Sequence, residues 1–569
     1  MKLKTIIPLF LLVFTLSINA QITADQKAKI DALFKDANEN TPGAAIGVIK
    51  DGKLIYSNGY GMADLEHDIK MSPKSVFYMA SVSKQFVTMA ILLLEEQGKL
   101  SLDDEVQKHL PDFPRYESPL TIRHFIHHTS GVRDNLTLWA LTGRSVYDHV
   151  DKEAIYKMIK RQKELNFKPG EKYLYSNSCY FMLAMMVEKV SGMSIREFAR
   201  KNIFEPLGMT NTHFHDDQYH IVKNRVFSYA PSKNGYRNLI MRFDLVGSGG
   251  LYSNIEDLLK WDQNFYNNKL GKGGPELINK MLTDGKLNNG KSAGYAFGIQ
   301  NGNYKGLRTV SHGGSLAGYR TYYVRFPDQN FSVFVLGNSS NFGPDSKSNA
   351  IAELMLASDF EAKARAEESD PGKETATGNS SDEQKKPATV NLSTDQLKKY
   401  SGFYWDNDEK DSWRVFIKAD KLVVDIGGRE VELIPISDGE FLGKGFPPSI
   451  TLKFEKADGN RYGIVFNQNG ALNKFSYYEP VSYSAADLKT FAGSYFSEEL
   501  NFSYNLRFEG GKLKLFIGDK EISELKPILK DVFRSEGVGV FSFNRGTGGT
   551  NAGYKLDAGR VRNLKFDKM

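Results

Sequence analysis

Residues 78–86, YMASVSKQF, place Ser81 three positions before Lys84 in an otherwise apolar run. The segment 83–98, SKQFVTMAILLLEEQG, has the pattern of a helix that is apolar on most sides and ends at Gly98. Such a helix is buried, so Lys84 has little surface on which to be solvated. A buried lysine has a depressed pKa and can act as a base for a serine on the same helix face. The segment therefore predicts a nucleophile with its base, although a Ser-x-x-Lys pair alone is weak evidence because it also arises by chance.

Two later motifs add to this pair. Tyr175-Ser176-Asn177 precedes an amphipathic helix, and His312-Gly313-Gly314 ends a short β-like run. In this order, at separations of 94 residues (175 − 81) and 137 residues (312 − 175), the three motifs resemble those of the penicillin-recognising serine hydrolases. The match is to the branch of class C β-lactamases, D-aminopeptidases and esterases. The segments TIRHFIHHTSGVRD, IFEPLGMTNT and GSGGLYSNIEDLLKW are also similar to that family.

The resemblance implies a role for each motif residue in acyl transfer. Ser81 would be the nucleophile, and Lys84 and Tyr175 would move its proton. Asn177 would hydrogen-bond Lys84 and the amide of the substrate, and the backbone N–H groups of Ser81 and Ser315 would form the oxyanion hole. Neither a metal nor an organic cofactor is implied.

The third motif bears on the substrate. Gly313 and Gly314 would let a substrate backbone approach the strand closely, unless they form a plain turn. β-Lactamases commonly have a lysine where this chain has His312, and a histidine there is mostly neutral at pH 7. The sequence thus favours small amides, short peptides that include D-residues, or esters as substrates. The alternatives are a β-lactamase or D-alanyl-D-alanine carboxypeptidase, or a non-catalytic binding protein.

The domain organisation follows from strand and linker signals. Strand-like runs surround Asp51-Gly52 near the start of residues 24–362 and Pro327-Asp328 near their end, with helical patterns between. This predicts one antiparallel sheet built from both ends of the domain, with a helical region between them. The resemblance implies a β-lactamase-like transpeptidase fold of the α/β (α+β) class.

A repeat follows a segment poor in large apolar residues. Residues 363–390 have the composition of a disordered linker. LKKYSGFY at 397–404 then matches LKTFAGSY at 488–495, an offset of 91 residues (488 − 397). Both copies alternate apolar and polar residues, which predicts two small β-barrels or sandwiches at 391–481 and 482–569. A binding protein would use these repeats to recruit its partner.

Composition limits the location and the partners. The 74 basic and 68 acidic residues are interspersed, without the basic stripe typical of nucleic-acid binding. Residues 1–20 resemble a cleaved signal peptide, and no second long apolar segment follows. We therefore expect a periplasmic or secreted protein without a stable membrane span, acting on a small-molecule or short-peptide substrate. Cys179 is the only cysteine and is expected to lie in a core.

Other residues that could bind ligands are better explained structurally. His127 and His128 belong to a family-like turn, and His213 to His220 match no usual zinc spacing and are expected in a polar surface loop. Trp405 and Trp413 are expected to be core aromatic residues rather than a ligand platform.

Overall fold

The computed structural model describes residues 22–369, 388–446, 450–457, 459, 461–468 and 471–569. The predicted signal peptide and residues 370–387 of the predicted linker lie outside these ranges. Residues 363–369, which their composition assigned to the linker, instead continue the helix Ala357–Ser369. In this part of the chain, no helix combines the length and apolarity needed to cross a bilayer.

The predicted sheet is present, and both ends of the first domain build it. Its six antiparallel strands lie in the spatial order Gln300–Tyr304, Leu307–Leu316, Tyr319–Phe326, Phe331–Gly337, Ala44–Lys50 and Lys53–Tyr60. Asp51 and Gly52 form the predicted turn with φ of 48° and 76°, the left-handed values that a tight hairpin of this kind requires. The pairing of Ala44–Lys50 with Phe331–Gly337 joins the two ends.

Helices and short strands fill the sequence between the two halves of the sheet. The helix Lys84–Glu96 is buried over almost its whole length and packs against Asn177–Ser191. The other helices of the domain are Ala24–Ala32, Val106–His109, Ile122–Ile126, Asn135–Leu141, Lys152–Lys160, Ile195–Ala199, Glu205–Leu207, Ile255–Asn264, Glu276–Met281 and Pro344–Met355, with a π-helical turn at Arg200–Phe204 and 3-10 turns at Ala80–Ser83 and Pro327–Gln329. Short strands pair as Met62–Asp64 with Ile69–Lys70, Phe77–Tyr78 and His213–Phe214 with Leu251–Ser253, and Tyr229–Ser232 with Gly235–Asn238.

Two closed antiparallel barrels of eight strands follow, as the repeat predicts. The helices Thr394–Lys398 and Ala485–Thr490 begin 91 residues apart, which is also the offset between the first strands of the barrels. The first barrel contains Gly402–Asp406, Asp411–Lys418, Lys421–Ile426, Arg429–Ser437, Glu440–Gly443, Ile450–Lys456, Tyr462–Gln468 and Ala471–Tyr478. The second contains Gly493–Ser497, Phe502–Glu509, Lys512–Ile517, Lys520–Leu529, Val532–Ser535, Gly539–Arg545, Asn551–Ala558 and Val561–Lys568, with a 3-10 turn at Thr547–Gly549.

The second barrel packs against the helical region of the first domain. Buried Arg133 donates a hydrogen bond from Nη1 to Glu499 of this barrel over 2.6 Å, and their side chains are 0% and 5% exposed. The Tyr504 hydroxyl donates to the Leu141 carbonyl over 2.6 Å. Apolar side chains of both units form one continuous cluster. The sheet, the helices and the second barrel thus share a core.

The other residues considered in the sequence analysis lie in cores or at contacts between structural elements. Cys179 is fully buried, as predicted. The prediction of a surface loop for residues 213–220 is wrong in part: His213–Phe214 pair with Leu251–Ser253 as a strand, and His215 is buried against Tyr252. Trp413 stacks on Phe475 inside the first barrel, whereas Trp405 packs against Ile528 and Val540 of the second.

Candidate active site

Ser81 lies on a 3-10 turn, Ala80–Ser83, directly before the buried helix. Ala80 has a φ of 47°, a left-handed value that costs energy for a residue with a side chain. The Val82 N–H donates to the Met79 carbonyl over 3.2 Å, and Ser81 itself lines a cavity. The chain thus presents a half-buried hydroxyl directly before the buried helix.

Lys84 Nζ is surrounded by three oxygen atoms. It lies 3.1 Å from Ser81 Oγ, 3.0 Å from Asn177 Oδ1 and 2.7 Å from the Ser248 carbonyl oxygen. A neutral amine has two N–H donors and one lone pair. With its two donors on Asn177 and Ser248, which accept only, its lone pair faces the Ser81 hydroxyl.

The surroundings of Lys84 favour that neutral form. Complete burial holds the pKa of Lys84 well below its usual range, and the positive charge of Arg560 acts in the same direction. The negative charge of Asp134 opposes both effects. Burial disfavours an ammonium because the cation loses its hydration. Lys84 can therefore accept a proton from Ser81 near neutral pH.

Asn177 is held in place by a buried carboxylate. Asp134 Oδ2 accepts hydrogen bonds from the backbone N–H and the side-chain amide of Asn177, over 2.7 and 2.8 Å. Its other oxygen accepts from Thr137 N and caps the helix Asn135–Leu141. Because the amide nitrogen of Asn177 is fixed by Asp134, its oxygen must face Lys84.

Tyr175 lies over Lys84, with Nζ 4.7 Å from the centre of its ring. Burial raises the pKa of Tyr175, and a smaller effect of its hydrogen bond with Ser81 lowers it. The ring of His128 packs 4.2 Å away, and its Nδ1 accepts from Ser176 N. His128 thus supports Tyr175, which agrees with the structural role predicted for it. His127 is also buried and has Nδ1 3.0 Å from the Tyr295 carbonyl oxygen.

His312 lies on the strand beside Ser81, and its side chain is neutral. Its Nδ1 lies 2.6 Å from the Gly313 carbonyl oxygen, which can only accept, so Nδ1 carries the proton. Its Nε2 then accepts from the Tyr295 hydroxyl over 2.8 Å. Burial lowers the pKa of His312 to about 3, and repulsion from Lys84 adds to this effect. Position 312 therefore carries no positive charge at neutral pH.

The two glycines of this strand differ in their surroundings. A Cβ on Gly314 would lie 2.3 Å from the Met79 carbonyl oxygen, so glycine is needed there for the strand to pack on the turn that carries Ser81. A Cβ on Gly313 would meet Tyr322 at an ordinary 3.6 Å. The sequence-based explanation, close approach by a substrate, is therefore not needed for Gly314.

A cavity of about 660 Å³ joins these residues. Seven of the eight predicted site residues line it: Ser81, Tyr175, Asn177, His312, Gly313, Gly314 and Ser315. Ser315 is exposed, whereas the eighth residue, Lys84, is fully buried and contacts the cavity through Ser81. The predicted set is thus brought together in one place.

Sequence reasoning missed four residues of this region: Asp134, Ser248, Tyr295 and Arg560. Asp134 and Ser248 fall within the family-like segments TIRHFIHHTSGVRD and GSGGLYSNIEDLLKW, which could have drawn attention to them. Tyr295 and Arg560 carry no comparable signal, and Arg560 comes from the second barrel. Its position depends on how the two units pack.

A family model and several known proteins match part of this chain. The family model described as Beta-lactamase matches residues 30–357. The chain is 32% identical over 305 residues to Penicillin-binding protein 4* of Bacillus subtilis (strain 168), a match that covers 50% of this chain and 66% of the relative. It is 26% identical over 297 residues to the D-aminopeptidase of Gluconobacter oxydans (strain 621H), covering 52% of this chain and 56% of that protein. The chain thus spans less than two thirds of the length of these relatives.

Solved structures share the fold. The octameric penicillin-binding protein homologue from Pyrococcus abyssi matches with a TM-score of 0.53 and 24% identity, over 79% of this chain and 99% of its own. The D-amino acid amidase from Ochrobactrum anthropi SV3, complexed with L-phenylalanine amide, matches with a TM-score of 0.51 and 18% identity, over 59% of this chain and 100% of its own.

Proposed function

Because the chain belongs to the β-lactamase family, we propose that it is an exported serine hydrolase that forms an acyl-enzyme on Ser81. Its substrates are small amides and short peptides, including peptides with D-residues, and carboxyl esters form the second class. The observation that carries this proposal is the environment of Lys84, whose buried amine lies 3.1 Å from Ser81 Oγ. The N-terminal sequence supports export to the periplasm or the medium.

Acylation begins with the Ser81 hydroxyl. As Ser81 Oγ bonds to the carbonyl carbon of the substrate, its proton passes to the lone pair of Lys84 Nζ. The carbonyl oxygen becomes negatively charged and accepts hydrogen bonds from the backbone N–H groups of Ser81 and Ser315. Asn177 and Ser248 keep Lys84 oriented throughout, since both accept its hydrogen bonds.

Tyr175 completes the transfer. When the bond to the leaving group breaks, the departing nitrogen or oxygen takes a proton from Tyr175, which regains one from Lys84. A raised pKa keeps Tyr175 protonated and ready to donate. Water then attacks the acyl-enzyme. Protons move along the same path in the reverse direction, from water through Tyr175 and Lys84 to Ser81, and the acid is released.

Intact-mass spectrometry of the protein treated with a fluorophosphonate, and separately with a penicillin, tests the nucleophile. We expect one fluorophosphonate adduct, absent in Ser81→Ala. Cys179→Ser is the matched control, because it changes the buried thiol and keeps Ser81. A long-lived penicillin adduct would move the substrate preference toward penicillin-binding peptidases. Labelling that survives in Ser81→Ala would contradict the proposal.

The substrate class needs a separate comparison. Hydrolysis of alanine p-nitroanilide in its D and L forms, and of p-nitrophenyl acetate, ranks amides of either hand against esters. We expect turnover of the D-amide to exceed that of the L-amide, with the ester also cleaved. Hydrolysis of a chromogenic cephalosporin faster than of any amide would contradict the substrate class.

A further inference from the structure

A hairpin of the second barrel ends beside the residues described above. Its strands, Asn551–Ala558 and Val561–Lys568, are joined by Gly559 and Arg560. Gly559 has a φ of 55°, which suits glycine in so short a turn. The guanidinium carbon of Arg560 lies 4.8 Å from the centre of the Tyr175 ring, and Arg560 lines the same cavity as Ser81.

The backbone of this hairpin is fixed by the catalytic domain. Asn166 donates from Nδ2 to the Arg560 carbonyl over 2.9 Å and accepts at Oδ1 from Arg562 N over 2.7 Å. Arg133 donates to the carbonyls of Arg562 and Asn563, over 3.0 and 3.2 Å. Arg560 is therefore presented to the cavity without any need for substrate to order it.

The guanidinium of Arg560 forms a long ion pair with Asp134. Its nearest carboxylate oxygen is Asp134 Oδ2 at 3.8 Å, an atom already engaged by both amides of Asn177. Within the ranges that the structure describes, no hydrogen bond from the guanidinium is found, and the side chain is 45% exposed. By contrast, Arg320 on the same cavity directs Nη1 to the carbonyls of Ala317 and Tyr319.

A guanidinium in this state is suited to a carboxylate, which it binds through two parallel N–H donors. We propose that Arg560 binds a carboxylate on the leaving group of the substrate, so that the second barrel forms part of the active site. The choice of the leaving-group side rests on the proposed function, because Tyr175, which Arg560 overlies, is there the proton donor to that group. His312 is neutral, so it does not supply a positive charge for this carboxylate.

The test compares two esters that differ by one carboxylate on the leaving group, phenyl acetate and 3-carboxyphenyl acetate. We expect kcat/KM to favour the carboxylate ester about tenfold more in the native protein than in Arg560→Gln, the size of a hydrogen-bonded charge contact. Comparing variants removes the difference in intrinsic reactivity between the esters. Arg560→Lys should restore part of the preference.

Arg562→Gln is the matched control. It removes a cation from the same hairpin whose side chain bonds to Glu409 of the first barrel. We expect it to keep the native preference. For phenyl hydrogen succinate, with its carboxylate on the acyl side, the ratio of kcat/KM to that of phenyl acetate should not depend on Arg560. An ester ratio unchanged in Arg560→Gln, or lost equally in Arg562→Gln, would overturn the proposal.

A binding measurement tests the Arg560 site independently of the hydrolase proposal. Calorimetric titration of Ser81→Ala with each intact ester requires no turnover. Tighter binding of 3-carboxyphenyl acetate, lost when Arg560→Gln is added, would support the anion site even if the native protein hydrolysed neither ester. Equal binding of the two esters would overturn the anion site and leave the hydrolase proposal standing. A native-like unfolding midpoint of Arg560→Gln would show that its folding is intact.

Discussion

The two barrels have the same strand order and begin 91 residues apart, yet their neighbours differ. Apolar residues of the second barrel join the core of the catalytic domain, whereas those of the first form a separate cluster. The first barrel instead contacts the second through Trp405 and through the ion pair of Asp411 with Arg534, at 2.7 Å. Their roles therefore differ although the scaffold is shared.

Equivalent positions show where the difference arises. Tyr504 and Trp413 occupy matching places in the repeat, 91 residues apart (504 − 413). The Tyr504 hydroxyl donates to Leu141 in the catalytic domain, whereas the Trp413 indole donates to Asp411 in its own barrel, over 3.0 Å. A few side chains, not the barrel backbone, determine which copy packs beside the active site.

The largest effect is expected from Arg133→Ala. This change leaves Glu499 buried without its cation, which lowers the free energy of unfolding by about 3–5 kcal/mol. It also removes two of the hydrogen bonds that hold the Arg560 hairpin, so kcat/KM for ester hydrolysis should fall. Urea unfolding and ester hydrolysis measure the two effects.

The control for Arg133 lies nearby. Lys163 pairs with Glu498 on the surface, and both side chains are more than half exposed. Lys163→Ala should change neither quantity appreciably, because exposed ion pairs contribute little. Native stability in Arg133→Ala would show that the second barrel is held by apolar packing alone.

Trp405→Ala tests the difference between the two barrels, because a change in the first barrel should affect stability alone. Removing this side chain from its contact with Ile528 and Val540 should lower the free energy of unfolding by about 3 kcal/mol. Since Trp405 does not line the cavity that contains Ser81, kcat/KM should stay native. Trp405→Phe, which keeps much of the apolar volume, should lose less stability. A fall in kcat/KM with Trp405→Ala would mean that the first barrel also acts on the site.

The fold was predictable where the signal was local. Asp51-Gly52 marked its hairpin because both residues tolerate left-handed φ, and the offset of 91 residues marked the barrels because each copy repeats one alternation pattern. Ser81 and Lys84 were recognisable because they are three residues apart at the start of a buried helix. Such features depend on neighbours in sequence.

The contacts that were not predictable join distant parts of the chain. Arg560 reaches Tyr175 across 385 positions (560 − 175) only because the second barrel packs on the helical region. Tyr295 hydrogen-bonds to Nε2 of His312 through a hydroxyl whose position depends on the packed fold. Periodicity in the sequence gives no information about such pairings.

Tyr504→Phe tests one hydrogen bond between the second barrel and the catalytic domain. Losing the hydroxyl leaves the Leu141 carbonyl unpaired and should cost about 1 kcal/mol of unfolding free energy, with a small fall in kcat/KM. Tyr404→Phe is the matched control, because its hydroxyl donates to Tyr400 within the first barrel over 2.7 Å. It should lose similar stability and keep native kcat/KM. Equal kinetics in both variants would argue against coupling between this contact and the site.

The smallest expected effect is on the pH dependence. Acylation requires neutral Lys84, so kcat/KM should rise as the pH increases through the pKa of Lys84. Arg560 lowers that pKa by repelling the ammonium, whereas Asp134 and Cys179 raise it. Removing the charge in Arg560→Gln stabilises the ammonium, raises the pKa of Lys84 and moves the midpoint to higher pH.

Phenyl acetate is the substrate for this measurement, since it carries no charge for Arg560 to bind. His312 does not titrate in the same range, because burial lowers its pKa to about 3. Arg562→Gln, which removes a charge held by Glu409, should leave the midpoint in place. A midpoint that moves equally in both variants would reflect the overall charge of the hairpin. A shift in Arg560→Gln alone would show that one residue of the second barrel acts directly on the base, which no residue of the first barrel is expected to do.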